Sequence, residues 1–363
     1  MTQCTCYISC YICIQKQIPR GSQMSVTIRD VAKESGFSIA TISRAFANIP
    51  SVKPETRQRI LEVAKELGYL YQPHGRRDPR RSQMIMLIVG DIMNQFYWGI
   101  IKGANDRLGE LGIKLAIFCS EYDPAREEDL VRYADEKKYD GVIMVTAMET
   151  PGLVSILKTA NCPVVLANRT IRSMDLNTVC IDNYRGGYMA ASFLADEGHR
   201  NIAHLAGPDN STASQDRERG FRDALKDYQL TVSDAAVRYG NLKRDSGYEY
   251  GCYFLNNLRD YTAVFCANDL MAAGFCDCLI EAGVTVPDDV SVICFDDSPA
   301  AVSGSVRLTT ISRDPYPMGQ TAAEMMIEEM ANRESKRRKI IFPPTLNVRD
   351  SVRKNASVAR TDI

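Results

Sequence analysis

The chain has 363 residues and a mass of 40.5 kDa, with 45% apolar and 25% charged residues. These are ordinary globular proportions, which exclude collagen-like, disordered and disulfide-scaffold classes and suggest two or three domains. No run of about 18 apolar residues occurs, so no membrane-spanning helix is expected. The net charge of −1 hides an asymmetry. Residues 24–82 carry eleven Lys or Arg against six Asp or Glu, whereas residues 83–363 carry 31 against 39. A small basic module joined to a large acidic one points to a nucleic-acid contact at the front of the chain.

Four of the twelve cysteines (Cys4, Cys6, Cys10 and Cys13) fall in the first thirteen residues. They lack a paired C-x-x-C arrangement, and no histidine lies near, so neither a zinc site nor any other metal is expected. The remaining eight lie mostly in apolar runs, where a free cysteine behaves as a small hydrophobe, and this favours a reducing cytoplasm. Residues 1–23 have no basic n-region ahead of their apolar stretch, which argues against a secretory signal. They read as a non-structural leader, with Met24 as the functional start.

Residues 27–68 read as three short helices. Thr27 begins a capping pattern that ends at Asp30. The first helix runs to about Ser35 with Val31 and Ala32 inward, and Gly36 breaks it. Ser38 caps a second helix over Ile39–Ala47, with Ile42 and Phe46 on one face. Pro54 opens a third, in which Ile60, Ala64 and Leu67 recur with amphipathic spacing. A glycine turn followed by a capped helix is the helix-turn-helix arrangement, whose second helix enters the DNA major groove. Ile39, Ala40, Thr41, Ser43 and Arg44 would then face bases, with the capping Ser38 also at the DNA and Arg44 suited to guanine or a phosphate. Thr27, Asn48 and Lys53 are placed for backbone phosphates. A three-helix protein-binding module fits the same pattern. Residues 71–82, with Pro73, Gly75 and Pro79, form a linker.

From residue 84 short apolar runs alternate with helix-length segments. The runs are Ile85–Val89, Leu115–Phe118, Gly141–Val145, Val164–Ala167, Ile202–Leu205, Ala263–Cys266 and Val290–Phe295. The helical segments include Trp98–Leu111 and Gly187–Glu197. Such alternation means an α/β core with parallel sheets, and about 280 residues suit two sheets side by side. Ligands on such sheets sit beyond the carboxyl ends of the strands. This directs attention to 91–98, Asn168-Arg169, 207–217, Asn268-Asp269 and Asp296-Asp297. No phosphate-binding glycine motif or H-E-x-x-H is present. His74, His199 and His204 read as structural or solvated. Without a nucleophile, metal cluster or histidine base, the candidate cleft does not read as that of an enzyme.

Several stretches carry a resemblance. The run VTIRDVAKESGFSIATISRAFAN at 26–48 resembles the DNA-binding motif of the lac repressor (LacI/GalR) family, and Thr56-Arg57 through Gly68-Tyr69 fit its third helix. GHRNIAHLAG at 198–207, FCAND at 265–269, VPDDVS at 286–291, LTTI at 308–311 and RDS at 349–351 follow in order at matching spacing. The resemblance covers about residues 24–352. It implies a cytoplasmic transcription regulator, usually a homodimeric repressor, that binds double-stranded operator DNA and needs no cofactor. The implied architecture is an all-α headpiece (24–70), a linker or hinge (71–82), and a periplasmic-binding-protein-like core (83–352) of two doubly wound parallel-sheet subdomains, with a tail at 353–363. The first subdomain is expected at about 83–167 plus 315–335, and the second at about 168–314 plus 336–352.

In that family a small molecule binds between the core subdomains. The matching positions here are Phe96, Tyr97, Asn168, Arg169, Arg217, Leu242, Asn268, Asp269 and Asp296. Aromatic faces suit the C–H side of a sugar ring, and Asn, Asp and Arg suit its hydroxyls. Trp98 fits a core cluster equally well, and Leu242 offers no stacking face. A sugar or related polyol is favoured over a nucleobase. A sugar-binding protein with no regulatory role is the alternative, but it leaves residues 24–68 unexplained. The linker departs from the family. The family's hinge helix wedges a leucine into the minor groove, yet no leucine lies between Tyr71 and Met86, and Gly75 and Pro79 oppose a helix. Arg76, Arg77, Arg80 and Arg81 remain to track phosphates or a narrow minor groove.

The expected consequence is steeply salt-sensitive DNA binding. Replacing the four linker arginines by alanine should lower the slope of log affinity against log salt by roughly 0.9 for each phosphate that they neutralise. Fluorescence anisotropy on a duplex at several salt concentrations measures this, and an unchanged slope removes these arginines from the interface.

Overall fold

The computed structural model describes residues 28–46, 52–67, 69, 83–258, 260–333 and 336–355. The chain divides into two compact units, Met1–Asp78 and Pro79–Ile363.

The first unit contains α1 (Ile28–Ser35), α2 (Ile39–Phe46) and α3 (Pro54–Glu66). Its core is Val31, Ile42, Ala45, Ile60 and Ala64, with Ala32, Phe46 and Leu67 packed at the edge. These include every inward position expected from the helical periodicity. Gly36 sits at φ +73, in the left-handed region that a side chain resists. Its amide bonds to the Ala32 carbonyl at 3.1 Å, which closes α1. Two residues later Ser38 Oγ accepts the Thr41 amide at 3.1 Å and caps α2, as the sequence implies. The expected positions Thr27, Asn48, Arg76 and Arg77, and Ala47 at the end of the second helix, lie outside the described residues. So do residues 1–23 and 356–363.

The second unit is built from two six-stranded sheets of matching order. The first half of its chain runs β1 (Met84–Val89), α4 (Phe96–Gly109), β2 (Lys114–Cys119), α5 (Pro124–Glu136), β3 (Gly141–Met144), α6 (Pro151–Thr159), β4 (Val164–Ala167) and β5 (Asn177–Ile181). The next part runs α7 (Asn183–Asp196), β6 (Ile202–Ala206), α8 (Thr212–Asp227), β7 (Val237–Tyr239), α9 (Arg244–Asn257), β8 (Ala263–Cys266), α10 (Asp269–Glu281) and β9 (Ser291–Asp296). It closes with α11 (Ala300–Ser303), β10 (Thr309–Ser312), α12 (Pro315–Ala331), β11 (Lys339–Phe342) and β12 (Thr345–Asn347). The sheet orders are β11-β5-β4-β3-β1-β2 and β12-β10-β9-β8-β6-β7. All pairings are parallel except β10 with β12. Near-continuous burial along β1, β3, β4, β8 and β9 follows from helices covering both faces.

The subdomain boundary differs from the sequence expectation, in which the second subdomain takes up residues 168–314 and 336–352. Instead β5 pairs with β4, and β11 pairs with β5, so both belong to the first sheet. The chain crosses to the second sheet after β5, comes back to the first after β10, and crosses again between β11 and β12. Asn177–Ile181 has only three apolar residues in five and does not stand out as a strand. β7, β10, β11 and β12 are equally faint, because three or four residues with mixed polarity carry little periodic signal.

Helix pairs meet through glycine. A Cβ on Gly220 of α8 would stand 2.0 Å from the Tyr184 carbonyl oxygen of α7, and one on Gly187 of α7 would stand 2.0 Å from the Arg217 carbonyl oxygen. Only hydrogen at both positions lets the two backbones touch. That approach brings Arg217 within reach of Asn183 at the start of α7. Gly220→Ala should therefore force the helices apart and cost about 1–3 kcal/mol of stability. Urea denaturation followed by circular dichroism tests this, and a variant as stable as the parent contradicts the close approach.

Candidate functional site

The carboxyl ends of strands in both sheets face one another across a cleft. Asn94, Phe96 and Tyr97 enter after β1, and Asn168 and Arg169 after β4. Ala213, Ser214 and Arg217 come from α8, which follows β6. Leu242 follows β7, Asn268 follows β8, and Asp296 ends β9. This is where doubly wound sheets place ligands. The free space among these residues is small, about 10 Å³, room for about one water.

Arg217 is the hub. Its Nε donates to Asn183 Oδ1 at 2.9 Å, and one Nη donates to the Ala267 carbonyl. The other Nη stands 3.7 Å from Asp296 Oδ1. Its guanidinium lies over the Phe295 ring, 3.5 Å from the centroid. Burial lowers its pKa to about 10, and the Asp296 charge opposes that shift, so it stays cationic at neutral pH. Burial raises the Asp296 carboxyl, while Arg217 and Arg169 pull it down. Arg169 donates to the Asn168 carbonyl at 2.9 Å. Asn168 Oδ1 is buried without a hydrogen-bond partner, an acceptor that a guest's hydroxyl would satisfy. Tyr97 OH meets Tyr122 OH at 3.3 Å, and Asn94 Nδ2 donates to the same oxygen at 3.4 Å.

The cleft is also locally strained. Asn168 (φ 62), Leu242 (φ 65) and Asp296 (φ 106) all lie in the left-handed half of backbone space. For leucine this is a rare conformation, and such outliers gather at binding sites.

Eight of the expected cleft residues line it: Phe96, Tyr97, Asn168, Arg169, Arg217, Leu242, Asn268 and Asp296. Asp269 does not. Its carboxylate is 1% exposed and turns inward, accepting the Ser298 amide at 2.6 Å, the Cys294 thiol at 3.0 Å and the Thr310 hydroxyl at 3.3 Å. A direct ligand role for Asp269 is corrected to a structural one, bracing the β9 and β10 ends beside the cleft. Asn268 lines the cleft with both polar ends engaged. Its Oδ1 accepts the Met271 amide at 2.9 Å, capping α10, and its Nδ2 donates to the Leu242 carbonyl at 2.9 Å. Trp98 is half-exposed and bonds the Ile92 carbonyl, away from the cleft. Asn241 is exposed and pairs with Lys243 and Asp245. Asn94, Ala213 and Ser214 are cleft residues that the sequence does not single out. They fall inside the segments marked by strand ends, but no residue-level signal separates them from their neighbours.

His204 is fully buried, stacks on Phe265 at 4.5 Å and bonds that residue's carbonyl. His199 joins Thr262 to the Arg353 carbonyl. Both are structural, as expected, and His74 lies outside the described residues. Among the described residues no cluster of potential metal ligands occurs, and no helix is long and apolar enough to cross a membrane.

On the first unit α2 presents Ser38, Ile39 and Arg44 at the surface, with Thr41 half-buried and Lys53 exposed just before α3. Ile39 is 46% exposed, an apolar residue that the unit's own core leaves uncovered. Ser38 and Thr41 share a hydroxyl contact of 2.8 Å. Ala40 and Ser43 are on the same helix, but their side chains fall outside the described parts.

Comparison with known proteins reflects this two-unit organisation. Residues 27–72 match the profile of bacterial regulatory proteins of the lacI family, and residues 191–352 match a periplasmic binding protein-like domain. The HTH-type transcriptional regulator DegA of Bacillus subtilis is 32% identical over 332 residues, spanning 90% of this chain and 98% of DegA. The chain belongs to the LacI family. The HTH-type transcriptional repressor CytR of Escherichia coli, 31% identical over 310 residues, spans 85% of this chain and 91% of its own. A solved complex of the transcriptional regulator CelR with cellobiose shares 29% identity at a TM-score of 0.69, covering 90% of this chain and 99% of that one. A lac repressor dimer bound to operator has the same fold, at a TM-score of 0.67 and 24% identity, covering 90% of this chain and 99% of that one. LacI-family relatives such as these are DNA-binding transcription regulators, not enzymes.

Asp269 also gives a pH signature. Burial raises its pKa to about 7, and the Asp296 charge adds to that, against about 3.9 in the unfolded chain. Between about pH 4 and 7 the unfolded state sheds this proton while the native state keeps it. The unfolded state then binds fewer protons, so this group's contribution to stability falls as pH rises through that window. His204 works in the opposite sense, because burial lowers its pKa to about 4, and its contribution is lost as pH falls below about 6.5. Asp269→Asn should therefore gain stability relative to the parent on going from about pH 4.5 to about pH 7.5. Denaturant titrations at the two pH values check this, and a constant difference overturns it.

Proposed function

We propose that this protein is a cytoplasmic, homodimeric transcriptional repressor whose affinity for operator DNA is controlled by a sugar or related polyol bound in the cleft. The observation that carries the proposal is the polar lining of the cleft. Two guanidiniums and one carboxylate converge there with the unpartnered Asn168 oxygen and the Phe96 and Tyr97 rings. Hydroxyl groups that both donate and accept satisfy such a set, and aromatic faces suit the apolar side of a ring. The cellobiose in the CelR complex supports this ligand class.

On this reading α2 enters the major groove. Ile39 offers apolar contact to thymine methyls, and Arg44 offers its paired donors to guanine or a phosphate. Ser38, Ala40, Thr41 and Ser43 complete the base-facing surface, while Thr27, Asn48, Lys53, Arg76 and Arg77 hold the backbone. Arg217 and Asp296 read the effector from one wall, with Asn168 and Arg169 on the other. Control is linkage: the effector shifts operator affinity only by its differential affinity for the open and closed cleft.

The two activities should separate. Arg44→Ala is expected to weaken specific DNA binding about tenfold or more, given ~1–3 kcal/mol for a bidentate base contact, and to leave the effector's thermal shift intact. Asp296→Asn should keep specific DNA binding in fluorescence anisotropy and lose the effector's calorimetric heat and its effect on DNA. Screening a sugar and nucleoside panel by thermal shift identifies the effector. A folded Asp296→Asn protein with full effector response overturns the cleft assignment. Unchanged specific DNA binding by Arg44→Ala overturns the reading of α2.

A further inference from the structure

Eight cysteines are free among the described residues, and two of them face each other. Cys252 of α9 is exposed, while Cys278 of α10 is buried beneath it, and their sulfurs stand 3.5 Å apart. The separation is 26 residues in sequence, so the fold, not local chain geometry, makes the pair. Glycine permits it. A Cβ on Gly251 would lie 2.6 Å from Cys278 Cβ and 2.9 Å from its sulfur. Further along the same crossing, a Cβ on Gly247 would meet the Met271 carbonyl at 2.0 Å, and one on Gly274 would meet the Arg244 carbonyl at 1.9 Å. The two helix backbones thus run in contact. A disulfide needs helices this close, and the sulfurs, at 3.5 Å, have to approach to about 2.05 Å to bond.

We propose that Cys252 and Cys278 are a reversible oxidation site that closes to an intramolecular disulfide in the presence of hydrogen peroxide. Cys252 is the exposed sulfur, so its thiolate attacks first. An S–O bond forms, the O–O bond breaks, and hydroxide leaves to take a proton as water. The sulfur of Cys278 then attacks Cys252 sulfenic acid. The S–S bond forms, the S–O bond breaks, and the departing oxygen leaves as water with the Cys278 proton. Two thiols lose two electrons, and one peroxide becomes two waters. A dithiol reductant reverses the change. Burial, with the neighbouring Cys252, pushes the Cys278 thiol up to about 12, which disfavours it as the first sulfur to attack the peroxide.

The position has a structural consequence. α9 begins just after Leu242 and α10 just after its cap Asn268. Both residues line the cleft, and the Asn268 side chain bonds the Leu242 carbonyl. The disulfide would therefore pin together the two helices whose leading ends carry part of one cleft wall.

The test uses the full chain treated with hydrogen peroxide, after which remaining thiols are alkylated and peptides are mapped by mass spectrometry. The expected result is a cross-link between the Cys252 and Cys278 peptides, removed by dithiothreitol, with a rise in Tm of about 5 °C. Cys252→Ser, a surface change, should abolish both the cross-link and the shift. Cys278→Ser, checked for folding by circular dichroism, should leave Cys252 trapped as a higher oxide. The proposal is overturned if Cys252 is still alkylated after peroxide. It is also overturned if Cys252 pairs with another cysteine or a second copy of the chain, or if Cys252→Ser shows the same rise in Tm.

Discussion

The Arg217 guanidinium organises the second unit of this protein. It sits in a space walled by α7, the end of β8, the end of β9 and the Phe295 ring, and it is only 5% exposed. A buried cation is tolerated when its donors are met and an opposite charge stands near. Asn183, the Ala267 carbonyl and Asp296 meet those conditions here. The same contacts fix the relation of α8 to the carboxyl ends of the central strands. Breaking any of them would leave a polar group stranded, so this wall of the cleft is held rigidly. That rigidity rests in turn on Gly187 and Gly220, which let α7 and α8 touch.

Two carboxylates near this hub have different surroundings and different roles. Asp296 faces the cleft and Arg217. Asp269 faces inward and is surrounded by donors from Ser298, Cys294 and Thr310. Burial raises both, but two negative charges so close in a dry region oppose each other, and the arginine favours ionisation of Asp296. The outward carboxylate is thus available to a guest, while the inward one braces the strand ends that present it. The three left-handed residues Asn168, Leu242 and Asp296 show where the backbone is bent to aim these groups. The free space between these walls is small, room for about one water.

The two sheets share the same strand order, and in each half the helices cross on paired glycines. Gly103 and Gly319 seat α4 against α12, just as Gly247 and Gly274 seat α9 against α10. This close packing makes the Cys252–Cys278 pair possible. Most of the described cysteines are buried as small apolar groups, which matches their placement in apolar runs. Cys252 departs from that pattern, because α9 turns it outward.

Strong local patterns make much of the architecture legible in the sequence. The three helices of the first unit, their Gly36 break and Ser38 cap, and the core positions Val31, Ile42, Ile60 and Ala64 all follow from short-range rules of capping and periodicity. The central strands of both sheets are apolar runs that only a doubly covered sheet can bury. Strand ends and family motifs together pick out nine positions, eight of which line one cleft. The strands β5, β7, β10, β11 and β12 are beyond reach, because their short, mixed sequences become strands only by pairing with a neighbour already formed. The subdomain boundary moves for the same reason. Whether a carboxylate faces a cleft or the interior, as with Asp296 and Asp269, and whether two cysteines 26 residues apart come together, are matters of direction and distance. Sequence determined which elements exist and which chemistry they carry. Tertiary packing decided which of those groups face one another, because side-chain orientation depends on partners that are distant along the chain.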